Sequence, residues 1–402
     1  MLTPGLTDAR LTKDIGLIPY IMQKHRGYKA VYATYKPTKD HVSWPALHAF
    51  TEDVEFDYIE PSFDYRHDNI MQTVYGANLQ DCSNDLTRYV VKNALDIDVL
   101  FIFGFYPYYH DCVAKYKELN PQGKVYLKLD ANIGWINSTP VDERFTAFLK
   151  NCDLITSETL VEYLNSKWPV PVHYLPNGFY PLGETENRLE RNVPFEEKED
   201  YILTVGRLGT PQKATDLLLD AFKLAKPHIP DSWKLVLAGN INDSFMPFVQ
   251  DFMFDNPDLL ERVLFLGFIH DKKELGDWFV KSKIFALPSL FEGYANVLAE
   301  AKAHGCYLLA SDIESSRDAA SKHDNRRKLM DEPYKAANRI VEYGSLHEVS
   351  NRFELAQRMI EACNDQERLR SVCLSTQQDA VEYFDWIKLS GKIDVLLKAT
   401  VN

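Results

Sequence analysis

KIFALPSLFEGYANVLAEAKAHG, residues 283–305, is the stretch whose reading decides the fold. Its first part, KIFALPS, is a short apolar run closed by Pro288 and Ser289, the pattern of a buried strand ending in a turn. Gly293 permits a tight turn, and the residues after it predict a helix that starts near Ala295 or Asn296 and runs through NVLAEAKA. The unit is strand, loop, helix. It carries two acids, Glu292 in the loop and Glu300 in the early turns of the helix.

The same unit repeats on either side. Upstream come the strands YILTVGRL, WKLVLAGN and RVLFLGFI, separated by the helical patterns ATDLLLDAFKLAK, FMPFVQDFMF and KELGDWFVKS; downstream lies the strand CYLLASDI. The first half alternates likewise, with strands YKAVYATY (28–35), DVLFIFGF (98–105) and KVYLKLDA (124–131), then CDLITSE and VPVHYLPN. Helical patterns KDIGLIPYIMQKH, LTRYVVKNALD, YYHDCVAKYKEL and VEYLNSKW lie between them. Such alternation predicts parallel sheets covered on both faces. A chain of 402 residues exceeds one ordinary core, so two domains are expected.

The polar segment PLGETENRLERNVPFEEKED (181–200) is the natural linker. Domains are therefore expected at 1–180 and 181–383, with a final helix at 384–402 that overlaps VEYFDWIKLSGKIDVLLKA (381–399). Only Met1–Pro4 precede Gly5, so a first central strand is either very short or begins beyond this sequence. Ligands of such sheets bind at the carboxyl ends of the strands.

Composition narrows the function. A net charge of −13 argues against a nucleic-acid partner, which calls for a basic excess. The six cysteines show no CxxC spacing, a pattern of reduced thiols rather than of a disulfide frame or zinc site. The opening MLTPGLTDARLTKD has no apolar signal core, and no apolar run approaches the roughly 20 residues of a membrane span. A cytoplasmic protein is expected, with room for peripheral contact at the inner face of the membrane.

In VGRLGTPQK a strand leads through Gly206 into Arg207, and a loop delivers Lys213 at the next helix. A planar guanidinium, a point-charged ammonium and a helix N-terminus together suit a diphosphate. A surface arginine and lysine in a connecting loop is the plainer explanation of the same residues. Glu292 and Glu300, flanking another helix start, suit a ligand with both hydroxyls and phosphates, since a carboxylate accepts from vicinal hydroxyls; two exposed glutamates would look the same.

The set in this order, VGRL with Lys213, LVLAGN, FLGFIHDKKEL, FALPSLFEGYANVLAEAKAHG and ASDI, resembles the carboxyl-terminal domain of retaining GT-B glycosyltransferases of family 4. NCDLITSE…VPVHYLPNG (151–178) is similar to the end of that family's first domain. The resemblance implies an α/β GT-B fold: two Rossmann-like, doubly wound parallel-sheet domains facing a central cleft. It implies transfer of a sugar from a nucleotide sugar, a UDP-sugar first, to a saccharide, lipid-linked or glycoprotein acceptor, with no cofactor and no metal. Arg207 and Lys213 would bind the diphosphate, Glu300 the ribose and Glu292 the transferred sugar. Gly293, Tyr294, Ala295, Asn296 and Val297 would offer backbone amides. Phe268 and Ile269, after Gly267, would face the base, while Gly206, Gly239 and Gly16 would give the ligand room. Where many relatives carry a donor-facing histidine, this chain has KLDAN, which puts Asp130 in that place, either in a catalytic role or as a turn cap. Asp8 and Lys13 lie near enough in sequence to Gly16 to touch acceptor or donor.

Several features compete. Asp96 and Asp98 imitate a metal-binding DxD but precede a strand, on the wrong side for a site. Lys24, Arg26, Lys29, Lys36 and Lys39 with Tyr28, Tyr32 and Tyr35 form either a solvated face or a membrane-surface patch. The aromatic loop FGFYPYYH (103–110) could line an acceptor pocket or fill the core. A nucleotide-sugar epimerase, a phosphorylase on a related fold, or a non-catalytic partner of the same fold are the alternative functions. An oligomer is compatible with all of them. A hydrolase is disfavoured, because its two carboxylates must face each other across the substrate.

Overall fold

A computed structural model of the chain describes residues 1–38, 52–66, 74, 76, 78–182, 192–322 and 339–399. The chain divides into one unit of Met1–Pro176 with Trp386–Asn402 and another of Asn177–Asp385. Residues 183–191 of the expected linker, and Lys39, lie outside the described residues. The division falls at Asn177 rather than after residue 180 because Phe179 already belongs to the second unit. Its ring is buried in that unit's core, and its N–H donates to the Phe384 carbonyl at 2.6 Å.

The first unit contains β1 (Val31–Tyr35), β2 (Glu55–Ile59), β3 (Val99–Phe103), β4 (Lys124–Lys128), β5 (Leu154–Ser157) and β6 (His173–Tyr174). β1 pairs with β2, and β3 to β6 form a consecutive row; every pairing is parallel. The short amino-terminal segment joins the two sets. Leu2 bridges Ala33 of β1 and donates its N–H to Phe101 of β3 at 2.9 Å, so the first strand is a single residue pair wide. Alternate strand residues explain the cover: Leu100, Ile102, Val125, Leu127 and Ile155 share one apolar cluster.

The last helix, Trp386–Ala399, packs in this unit. Arg26 donates to the Ile387 carbonyl at 2.5 Å and to Ser390 Oγ at 3.0 Å, Tyr28 Oη to Asp394 at 2.9 Å, and Lys392 to the Tyr174 carbonyl at 2.6 Å. These contacts use up much of the basic, tyrosine-rich segment. Tyr32 and Tyr35 are fully buried, and Lys29 pairs with Glu55 at 2.7 Å. The aromatic loop is likewise core: Phe105, Tyr106, Tyr108 and Tyr109 are all buried, with Tyr106 stacked on Tyr108 at 5.2 Å. It does not offer open rings to an acceptor.

The second unit contains β7 (Glu199–Val205), β8 (Lys234–Ala238), β9 (Val263–Gly267), β10 (Ser282–Leu287), β11 (Tyr307–Ser311), β12 (Ile340–Val341) and β13 (Gly344–His347). Their order is β12-β13-β11-β10-β7-β8-β9, parallel except for β12. Ile202, Leu235, Ile284 and Leu309 lie in one apolar cluster, and their chain neighbours Leu203, Val236, Phe285 and Leu308 lie in another. Both faces are buried, which is why these strands read as continuous apolar runs. β7 and β10 are neighbours in the middle of the sheet, so the loops leaving their carboxyl ends emerge side by side.

No helix among the described residues is long and apolar enough to cross a membrane. All six cysteines are buried free thiols.

Candidate functional site

The loop after β7 carries Gly206, Arg207 and the one-turn 3-10 segment Pro211–Lys213. The loop after β10 carries Glu292 and Gly293 and enters the helix Asn296–Ala303. Adjacent strands bring these loops together, and a polar network closes them. Lys213 Nζ forms an ion pair with Glu292 Oε1. Gln212 Nε2 donates to Glu292 Oε2 at 3.1 Å and to the Phe291 carbonyl at 3.0 Å, while its Oε1 accepts from Arg207 Nη2 at 2.8 Å. The Leu290 N–H donates to the Gln212 carbonyl at 2.8 Å. Three of the expected residues, Arg207, Lys213 and Glu292, are thus gathered in one place.

Glu300 lies one helical turn further on and pairs with Lys272 at 3.3 Å. Lys272 opens the helix Lys272–Lys281, directly after the β9 loop that holds Phe268 and Ile269. Phe268 is 37% exposed and sits edge-on to His270 at 4.7 Å. Asn296 and Val297 form the first turn of their helix, whose N-cap residue, Ala295, makes no side-chain cap, leaving amide hydrogens aimed outward from its end. Asn296 Oδ1 accepts from Asn177 at 2.8 Å. Tyr294 and Ala295 are buried, and Tyr294 Oη donates to Asp318 at 3.1 Å, so only their backbone is available to a ligand.

Gly239 is required by the fold itself. Its φ is +142°, and a Cβ there would lie 1.7 Å from the Gly206 carbonyl oxygen. That contact lets the β8 and β7 loops approach each other, a different reason from room for a ligand. Gly206 has no such constraint, since a Cβ would meet only the Lys213 side chain at 3.5 Å.

Ala214 follows Lys213 with φ +44° and ψ +48°, a left-handed conformation that costs an L-residue about 1–2 kcal/mol. Ala214→Gly is therefore expected to stabilise the protein by about 0.5–1 kcal/mol despite glycine's looser unfolded state. A thermal melt in which this variant unfolds a few degrees above the parent checks it; an unchanged or lower midpoint contradicts it.

Gly16 and Asp130 belong to the first unit. Gly16 is the third residue of the helix Asp14–Arg26 and not part of a loop ahead of it. A Cβ there would strike the Leu11 backbone at 2.3 Å, so the missing side chain serves close packing within this unit. Asp130 follows β4 and is half-buried, its carboxyl pushed up by burial and by Asp14. Beside it lies a group the sequence did not single out. Lys128, the last residue of β4, is fully buried, with its ammonium against Glu158 and 3.5 Å from Asp14. Burial pushes the Glu158 carboxyl up to about 8; Lys128 opposes this, and Asp14 and Asp130 add to it. Asp96 and Asp98 stand at the amino end of β3, as expected of a decoy. Among the described residues no group of three or more His, Cys, Asp or Glu could hold a metal ion.

Residues 199–343 match the family described as Glycosyl transferases group 1. Over 195 residues the chain is 27% identical to N-acetylgalactosamine-N,N'-diacetylbacillosaminyl-diphospho-undecaprenol 4-alpha-N-acetylgalactosaminyltransferase of Campylobacter jejuni, a match to 48% of this chain and 45% of that protein. It is 25% identical over 164 residues to the lipopolysaccharide core biosynthesis mannosyltransferase LpsB of Rhizobium meliloti, covering 40% and 45% of the two chains. These matches span less than half the length of either relative. Among solved structures, sucrose-phosphate synthase from Thermosynechococcus elongatus superposes with a TM-score of 0.64 at 16% identity, over 96% of this chain and 92% of that one. Anabaena Alr3699/HepE in complex with UDP gives 0.65 at 15% identity, over 95% of each chain. The fold is GT-B, with Rossmann-like parallel sheets in both units.

Proposed function

We propose, on the premise that residues 199–343 belong to the glycosyl transferases group 1 and that the chain has the GT-B fold, that this protein is a retaining glycosyltransferase using a nucleotide-sugar donor, a UDP-sugar first. One observation carries the reading: β7 and β10 deliver Arg207, Lys213, Glu292 and a helix N-terminus to neighbouring loops. The diphosphate takes the charges of Arg207 and Lys213 and the amides of Asn296 and Val297. Glu300 accepts from the ribose hydroxyls, Phe268 and Ile269 flank the base, and Glu292 holds the sugar.

As the anomeric bond breaks, negative charge grows on the leaving phosphate and the sugar becomes cationic. Fixed cations and amide dipoles aimed at that oxygen stabilise the transition state more than the bound donor. On this reading the two cations supply what a metal would otherwise supply, and the leaving phosphate helps to take the acceptor's proton. The first unit binds the acceptor, with Asp130 holding a hydroxyl. The names of the relatives, which include a diphospho-undecaprenol and a lipopolysaccharide-core transferase, support a lipid-linked or polysaccharide acceptor and work at the inner face of the membrane.

Incubation with UDP-glucose, UDP-galactose, UDP-N-acetylglucosamine and UDP-N-acetylgalactosamine, followed by release of UDP, tests this reading. Slow release without acceptor, unchanged by EDTA, is the expected result, and product anomers read by NMR report retention. No release from any of these donors, or release abolished by EDTA and restored by a divalent ion, defeats the corresponding part.

A further inference from the structure

We infer that Gln212 is a positioning residue of the donor site: its side-chain amide holds the Arg207 guanidinium and the Glu292 carboxylate in one arrangement, so that cation and acid meet the same donor. The inference rests on the glycosyl-transfer reading above. Gln212 contacts both groups at once, accepting from Arg207 Nη2 at 2.8 Å and donating to Glu292 Oε2 at 3.1 Å. Its remaining contacts, to the Phe291 carbonyl at 3.0 Å and from the Leu290 N–H at 2.8 Å, tie the β7 loop to the β10 loop.

The chemistry of the position is specific. A primary amide presents an acceptor and two donors on one planar group, so it can satisfy a cation on one side and an anion on the other. Lysine lacks the acceptor, and glutamate lacks the donor. Lys213 cannot replace Gln212, because an ammonium cannot accept from Arg207. Arg207 is exposed, so without this contact its long side chain is free to sample other rotamers. Glu292 would otherwise depend on Lys213 alone, the residue whose charge a diphosphate draws away. Gln212 keeps the acid in place at that moment. Its action is on geometry that matters in the transition state, so its loss falls on turnover more than on binding.

The test uses Gln212→Leu and Gln212→Glu in the full chain, with UDP as the binding probe and the best-used of the four UDP-sugars above as donor. For Gln212→Leu, kcat is expected to fall by on the order of tenfold or more, while donor KM and UDP Kd stay within about threefold. The melting temperature falls by no more than a few degrees, so the variant is fully folded in the assay. For Gln212→Glu, the donor to Glu292 is lost and a second carboxylate faces it, so kcat is expected to fall at least as far as in Gln212→Leu. A Gln212→Leu variant with the parent's kcat and KM overturns the inference. A raised KM with unchanged kcat overturns it too, assigning a plain ligand contact. Loss of kcat in proportion to unfolded protein assigns a structural role and also overturns it. A parent that neither binds UDP nor turns over any donor defeats the glycosyl-transfer reading itself, whereas an active parent with an indifferent Gln212→Leu defeats only the role of Gln212.

Discussion

Lys213→Ala is expected to lower donor turnover at least tenfold. The ammonium follows β7 in an ion pair with Glu292, where the proposed function puts the donor's phosphates. A charge-assisted contact is worth about 1.5–3 kcal/mol, and each 1.4 kcal/mol is a factor of about ten in rate. Charge developing on the leaving oxygen makes the loss fall on kcat/KM through the transition state. The substitution also leaves the Glu292 side chain, only 9% exposed, held by Gln212 alone. Lys213→Arg keeps the charge at a different reach and is expected to lie between the parent and the alanine variant. UDP release at saturating and limiting donor measures both terms. Wild-type rates in Lys213→Ala would remove this residue from the donor site.

Lys128→Met costs the protein about 3 kcal/mol or more above neutral pH, the loss expected when one partner of a buried charged group is removed. One ammonium faces Glu158 and Asp14 in a fully buried position, with Asp130 near enough to raise the Glu158 carboxyl. It can compensate only one anion, so the cluster keeps a proton. The sign with pH follows from that. Glu158 is raised in the folded state from an ordinary 4.5 to about 8, so between those values the folded chain binds more protons than the unfolded one. Its contribution is fully present below about pH 4.5 and is lost as pH rises towards about 8. Without Lys128 the carboxyls hold their protons still more tightly, and the deficit of the variant widens from pH 5 to pH 8. Glu158→Gln should flatten the parent's pH dependence, and the double variant should recover much of the loss of Lys128→Met. Calorimetric melts across this range measure all four proteins. A Lys128→Met deficit that does not grow with pH would contradict the account of the cluster.

Much of the architecture was legible in the chain because its strands are buried on both faces. Runs such as WKLVLAGN and KIFALPS have no polar alternation to obscure them, and Gly, Pro and Asn mark where they stop. The helix start at Asn296 followed from Gly293 and the apolar period after it. Boundaries were less legible: Phe179 looks like linker until its place in the second core is known. Burial of the aromatic loop was undetermined for a similar reason, since Tyr106 and Tyr108 have the composition of a binding surface and the environment of a core.

At the site, the charged residues announced themselves and the neutral and distant ones did not. Arg207, Lys213 and Glu292 stand out by charge in glycine-punctuated loops. Gln212 is uncharged and gains its meaning only when two loops 80 residues apart meet. Lys128 reads as an ordinary residue of KVYLKLDA, because nothing local signals that Asp14 and Glu158 converge on it. Lys272 was hidden in the same way until its contact with Glu300 appeared.

The most direct measurement is calorimetric titration of UDP, GDP and ADP into the parent, Arg207→Ala and Lys213→Ala. Saturable heat with one of these nucleotides in the parent, weakened at least tenfold in each variant, is what a diphosphate site at the ends of β7 and β10 requires. Absence of heat with all three, or equal affinity in parent and variants, would contradict it.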